Sequence, residues 1–242
     1  MNEQDEVFDR DPSLDERAFE LQGTFRTVLD CMARPGEVCR LSVTDAYEVE
    51  AKRCGLFPAT LMLADMLLDS GTTFCMATTG FERAARQIAS RTHVTPAAPS
   101  EAACVIVPEA FRDEGAASAI AALTAGTLEQ PHRGATVIVE CSVLLGLDAQ
   151  GLRVGSASHA CTKSSWELGG PGVDGTSHFS CDRGDVLRSR IARLDEFPCG
   201  IDLMFVDGFG HIAAVPRSSA CRRLNHGICS RFRRRAGNRR IA

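Results

Sequence analysis

The chain has 242 residues, 44% hydrophobic and 24% charged, the balance of a globular chain with enough apolar material for its own core. No apolar run approaches the roughly 20 residues needed to cross a bilayer. The acidic opening MNEQDEVFDRDPSLDE lacks the basic-then-apolar order of a signal peptide, so a cytoplasmic location is expected. The formal charge of −4 conceals an asymmetry: residues 221–242 hold eight arginines and no acid, leaving a body of charge −12 with no basic surface for nucleic acid.

Ser13-Leu14-Asp15-Glu16 has the form of a capping box, with Glu16 reaching back toward the cap. Phe19, Leu21, Phe25, Val28, Leu29 and Met32 then recur at helical spacing until Pro35-Gly36 stops the helix. A second helix is expected over residues 57–69, and a short strand, TTFCMAT, follows Ser70-Gly71. FERAARQIAS reads as a helix, ACVIVP as a strand and ASAIAALTAG as a helix. ATVIVECSVLL, rich in β-branched residues, is the strongest strand signal, and LRVGSAS is a further strand. A glycine-rich loop at 169–175 leads to a charged helix, DVLRSRIARLDEF. GIDLMFVD and HIAAVP, joined by Gly208-Phe209-Gly210, read as a hairpin. Helices interleaved with apolar strands predict a single α/β domain, residues 1–218, with a mixed β-sheet flanked by helices. After Pro216 the hydrophobic pattern fades, and 219–242 are expected to form a basic, disordered tail.

Eleven cysteines form no C-x-x-C pair, and most sit inside apolar stretches, which predicts reduced thiols in a core rather than a disulfide framework. His159-Ala-Cys161 and His178-Phe-Ser-Cys181 could offer zinc ligands, but their intervals are unusual for a structural site, and no metal is expected. Only two lysines occur, Lys52 and Lys163. A pyridoxal enzyme needs a Schiff-base lysine, for which Lys163 is the sole plausible candidate. Neither a G-x-S-x-G elbow nor a phosphate-binding G-x-x-x-x-G-K-[ST] loop is present.

The candidate site residues each admit two readings. Arg34, before Pro35 and Gly36, is either a guanidinium held toward a phosphate or partner carboxylate, or part of a plain helix stop. The partial negative charge of a helix C-terminus favours the second. Arg26, one helical face away, reads as a surface or interface ion pair. Gly170-Pro-Gly172-Val-Asp-Gly175 satisfies G-x-G-x-x-G, but no apolar helix follows, so a tight turn near a cleft or interface is expected. Arg217, after a strand and beside Ser218 and Ser219, could hold an anionic oxygen or simply fix the chain. Asp202, entering a buried-looking strand, is a partnered structural carboxylate or a member of the same site.

Four stretches, FRTVLDCMARPG (25–36), RGATVIVE (133–140), GGPGV (169–173) and GIDLMFVDGFGHIAAVPRS (200–218), together resemble the PhnH family. The resemblance covers about residues 7 to 218. It implies a fold similar to the pyridoxal-phosphate-dependent transferases without the cofactor, a homodimer, and assembly with PhnG, PhnI and PhnJ into the carbon–phosphorus lyase core complex. That complex makes α-D-ribose 1-alkylphosphonate 5-triphosphate from ATP and an alkylphosphonate. A radical iron–sulfur subunit later breaks the carbon–phosphorus bond, and this chain lacks the cysteine triad for that step. Catalytic residues are left unassigned; Arg26, Arg34, Gly36, Gly170, Gly172, Asp202 and Arg217 stand as substrate-binding or interface candidates. The alternatives are a stand-alone pyridoxal-type transferase and a non-catalytic module binding phosphonate or nucleotide. The tail departs from the family and reads either as an arginine-rich arm or as sequence in a shifted frame.

Overall fold

A computed structural model describes residues 12–157 and 163–224. Helix α1 spans Pro12–Ala33. Ser13, expected as the cap, falls within this span. Thr24, Val28 and Cys31 face the core, while Phe19, Phe25 and Leu29 are exposed. Gly36 ends the helix region with φ +82°, and a β-carbon there would lie 2.7 Å from Ser177 Oγ.

Next come β1 (Cys39–Arg40), α2 (Asp45–Cys54), α3 (Pro58–Leu67), β2 (Thr73–Met76) and α4 (Glu82–Thr92). Helix α2 was absent from the sequence expectation because its apolar stripe is thin: only Tyr47, Ala51 and Cys54 are buried. Then follow β3 (Thr95–Pro96), β4 (Cys104–Val107), α5 (Asp113–Ala121), β5 (Thr136–Glu140), β6 (Val143–Leu147), β7 (Arg153–Ala157), β8 (Ser164–Gly169) and β9 (Ser177–Cys181). Helix α6 (Gly184–Ala192), β10 (Asp202–Val206), β11 (His211–Val215) and β12 (Ala220–Leu224) complete the described chain.

Seven strands form one mixed sheet in the order β1-β11-β10-β5-β4-β2-β3. From β10 through β3 the neighbours are parallel, whereas β11 is antiparallel to both β10 and β1. The expected hairpin at Gly208-Phe209-Gly210 is β10–β11. The pleat divides each strand between two cores. Ile106, Ile138, Met204 and Ile212 pack against α1–α4, while Val105, Val137, Phe205 and Ala213 pack on the opposite side with α5 and α6. Being covered on both faces, β4 and β5 read as continuous apolar runs. Each fully buried valine or isoleucine contributes about 1.5–3 kcal/mol.

The second core is closed by a separate antiparallel sheet, ordered β12-β8-β9-β6-β7, which contributes Leu144, Trp166, Leu168, Phe179 and Cys181. The expected mixed sheet flanked by helices is present, and this second sheet stands beside it. ATVIVECSVLL is two strands in two sheets, with β5 central in the first and β6 in the second. Past residue 218 the chain continues as β12, which pairs with β8, Arg222 opposite Glu167 and Leu224 opposite Ser165. Residues 225–242, where most of the tail expectation falls, lie outside the described residues, as do His159 and Cys161.

Candidate functional site

The turn between β8 and β9 carries Gly170 and Gly172 and lies on the end of α1. A β-carbon on Gly172 (φ +80°) would sit 2.2 Å from the Ala33 carbonyl oxygen, so only glycine allows this approach. Gly170 (φ +119°) lies against the Ser218 carbonyl in the same way. A strand does precede this G-x-G-x-x-G run, but β9 follows it antiparallel instead of a helix. The turn therefore has no helix N-terminus to offer a phosphate. Arg34 pairs with Asp30 at 3.2 Å and Glu37 at 2.8 Å. Arg34 and Gly172 share a cleft of about 290 Å³ with Glu37, Asp148, Asp174 and His178. Three carboxylates beside the negative end of α1 make this cleft a poor host for an anionic phosphorus group.

Arg217 is elsewhere. Asp202 accepts its backbone N–H at 2.7 Å, and its Nε and Nη2 at 3.0 and 2.5 Å. The remaining donors reach the carbonyls of Pro131 and Gly134. Four of the five guanidinium N–H groups are thus engaged within the fold. Strand β11 runs antiparallel to β10, so its carboxyl end, where Arg217 sits, lies at the amino ends of the parallel strands. The expectation that Arg217 stands at the ligand-binding edge gives way for that reason. Arg26 is exposed and makes no ion pair among the described residues. The seven candidates therefore do not converge: Arg34, Gly36 and Gly172 cluster at the end of α1, and Asp202 with Arg217 forms a separate clamp.

The opposite edge, at the carboxyl ends of the parallel strands, holds side chains that the sequence reading did not select. Arg183 is fully buried and donates to the carbonyls of Glu140 (2.6 Å), Phe111 (2.7 Å) and Pro108 (3.3 Å). The protein's own guanidinium thus fills the crevice beyond β4 and β5. Glu140, also buried, accepts from the Thr60 hydroxyl and the Phe57 N–H at 2.6 Å and from the Glu109 N–H at 3.0 Å. Burial drives its proton affinity up in spite of those donors. Burial would raise Glu109 as well, but the Ser142 hydroxyl and Arg112 hold it below the usual range. Arg112 also bridges to the buried Asp182 at 2.8 Å.

Beyond β10 the edge is more open. Asp207 is buried, and its Oδ1 closes the hairpin turn by accepting the N–H groups of Phe209 and His211, each at 2.9 Å. Its Oδ2 accepts Ser156 Oγ from the second sheet and stands 2.8 Å from His211 Nδ1. A carboxylate accepting from Nδ1–H leaves Nε2 as the acceptor of a neutral imidazole. His211 is partly exposed, and no described residue partners its Nε2. Arg40, its register partner on β1, is exposed and lines an adjoining cleft of about 520 Å³ with Ser42, Glu48 and Phe209. This group can meet an anion or hold a proton, and it occupies the edge where α/β sheets receive ligands. Asp207 and His211 stand four residues apart across a glycine-flanked turn, the one signal that could have singled them out.

These features define a doubly wound α/β protein carrying an accessory antiparallel sheet, with a histidine–carboxylate pair at the carboxyl edge of its parallel strands. The profile of the bacterial phosphonate metabolism protein PhnH matches residues 12–222. No curated protein matches the chain. The chain belongs to the PhnH family and is a protein of phosphonate metabolism.

Proposed function

We propose that this chain is a cofactor-free subunit of the carbon–phosphorus lyase core complex. In this reading it pairs with a second copy and joins PhnG, PhnI and PhnJ. Phosphonate catabolism then proceeds through α-D-ribose 1-alkylphosphonate 5-triphosphate made from ATP and the alkylphosphonate, an activity of the assembly. The observation that carries the reading is the exposed apolar face of α1, where Phe19, Phe25 and Leu29 surround Arg26 with no cover from the other described residues. A second patch, Ile191, Leu194 and Phe197, follows α6 on the other side of the seven-stranded sheet. Large exposed apolar groups grouped in this way mark interaction surfaces, and two patches suit both self-association and a partner. No helix among the described residues is long and apolar enough to cross a membrane, which suits the expected cytoplasmic setting.

Lys52 and Lys163 are both exposed, and neither lines a cleft described above, which weighs against the similar fold acting as a pyridoxal enzyme. The test is co-expression with PhnG, PhnI and PhnJ: the four chains are expected to elute together, and a chain that elutes apart from the others overturns the reading. The Asp207–His211 pair with Arg40 favours a second role, in which this subunit touches the phosphonate. Phosphorus NMR of methylphosphonate with the purified chain reads that role directly: line broadening lost in His211→Asn supports it, and an unchanged line refutes it.

A further inference from the structure

Two of the nine described cysteines stand apart from the rest by their placement. Cys31 lies on the inner face of α1, fully buried, and its thiol points to the Ile212 carbonyl oxygen at 3.7 Å. Cys39 on β1 is the register partner of that same Ile212 and packs on the same core. Both cysteines thus neighbour one residue of β11, and the turn Arg34-Pro35-Gly36 runs between them. Both side chains therefore border Ile212 on the α1 side of the sheet.

Their chemistry is unequal in the way a reactive pair requires. The neighbouring Cys31 side chain is the largest influence lowering the Cys39 thiol, burial opposes it, and the nearby Arg34 guanidinium lowers it further. The same contact, with burial, pushes Cys31 up. Cys39 is partly exposed while Cys31 is not. This is the arrangement of an attacking thiolate backed by a resolving thiol. The other neighbouring pair, Cys141 and Cys181, is fully buried on both sides and pushed up by desolvation, so neither thiol can begin an exchange.

We propose that Cys31 and Cys39 form a reversible disulfide, with a low-molecular-weight disulfide such as oxidised glutathione as the oxidant. The Cys39 thiolate attacks one glutathione sulfur and expels one glutathione thiolate. Cys31 loses its proton as its sulfur attacks Cys39 of the mixed disulfide and expels the adducted glutathione. Two protein thiols are oxidised by two electrons, oxidised glutathione is reduced to two thiols, and both protons end on those products. The bridge would clamp the end of α1 to β1 across the turn that borders the Arg34 cleft. This site is independent of the assembly proposed above.

The experiment uses the full chain, native, in glutathione buffers of graded oxidation, followed by alkylation and trypsin digestion. Trypsin does not cut between Arg34 and Pro35, so both cysteines stay in one peptide, residues 27–40. That peptide is expected to lose both alkylatable thiols and emerge lighter by two hydrogens, and to recover both after mild reduction. In Cys39→Ser, Cys31 is expected to stay reduced; in Cys31→Ser, Cys39 is expected to stop at a glutathione adduct. A wild-type peptide that keeps two free thiols at the most oxidised poise, or that ends as a stable glutathione adduct, overturns the proposal. Circular dichroism of each variant separates loss of fold from loss of chemistry.

Discussion

Asp202 accepts both the backbone N–H and the guanidinium of Arg217, and so ties the start of β10 to the chain leaving β11. The two residues lie fifteen apart in sequence at one end of the same hairpin, and both are mostly buried. The clamp explains why an arginine that reads as an anion site from sequence behaves as structure.

Arg217→Ala leaves the Asp202 carboxylate without its partner and opens the carbonyls of Pro131 and Gly134. The expected loss is about 3 kcal/mol, the scale for removing one member of a buried pair. Urea unfolding of the variant measures it. A variant as stable as wild type would show the clamp to be idle.

Gly172→Ala places a β-carbon 2.2 Å from the Ala33 carbonyl oxygen at a positive φ. Strain of this kind costs about 1–3 kcal/mol, and the turn must lift from the end of α1. Gly169→Ala, with nothing within 4 Å of its β-carbon, is the matched control and is expected to change little. Thermal melts of the two variants side by side decide the point.

Glu109 and Glu140 should respond to pH with opposite signs. Glu109 is held below its usual range, so its stabilising contribution is present above the ordinary glutamate range and disappears as pH falls through its lowered value. Glu140 is raised by burial, so its contribution is present at low pH and is lost as pH rises through its elevated value. Denaturant midpoints across pH provide the readout. The stability gap between wild type and Glu109→Gln is expected to widen with rising pH, while the gap for Glu140→Gln narrows or reverses.

Phe25→Asp and Leu29→Asp alter exposed positions of α1, so folding stability should move by no more than about 0.5 kcal/mol. Self-association, followed by sedimentation velocity, is expected to weaken. Undisturbed association in both variants would show that this face is not the contact surface.

Much of this fold was legible because several strands are buried on both sides. CVIV, the VIV of TVIVE and the LMFV of DLMFV read as unbroken apolar runs, and such runs announce a covered parallel sheet. The second sheet was harder to see. Ser164, Trp166 and Leu168 point inward while Ser165 and Glu167 point out, and β9 is mostly polar, so the segment looks like loop until its partners are known. Helix α2 escaped notice because its buried stripe is three residues wide.

The site was less legible for a topological reason. Whether Arg217 stands at the ligand edge depends on the direction of β11 relative to β10, and local sequence does not encode which end of a sheet a strand finishes on. Asp207 and His211 were within view as neighbours, but their third member, Ser156, comes from another sheet fifty-one residues earlier. Gly172 was chosen as a turn residue, and its contact with Ala33 adds the reason.

Only Cys141 and Ser142 separate β5, at the heart of one sheet, from β6 in the other. A tether of two residues leaves no slack for one layer to peel away while the other stays intact. Heat or force applied to the outer layer is transmitted straight to the middle strand of the inner one. The molecule should therefore melt as one cooperative body, with amide exchange at Val137–Val139 as slow as complete unfolding permits.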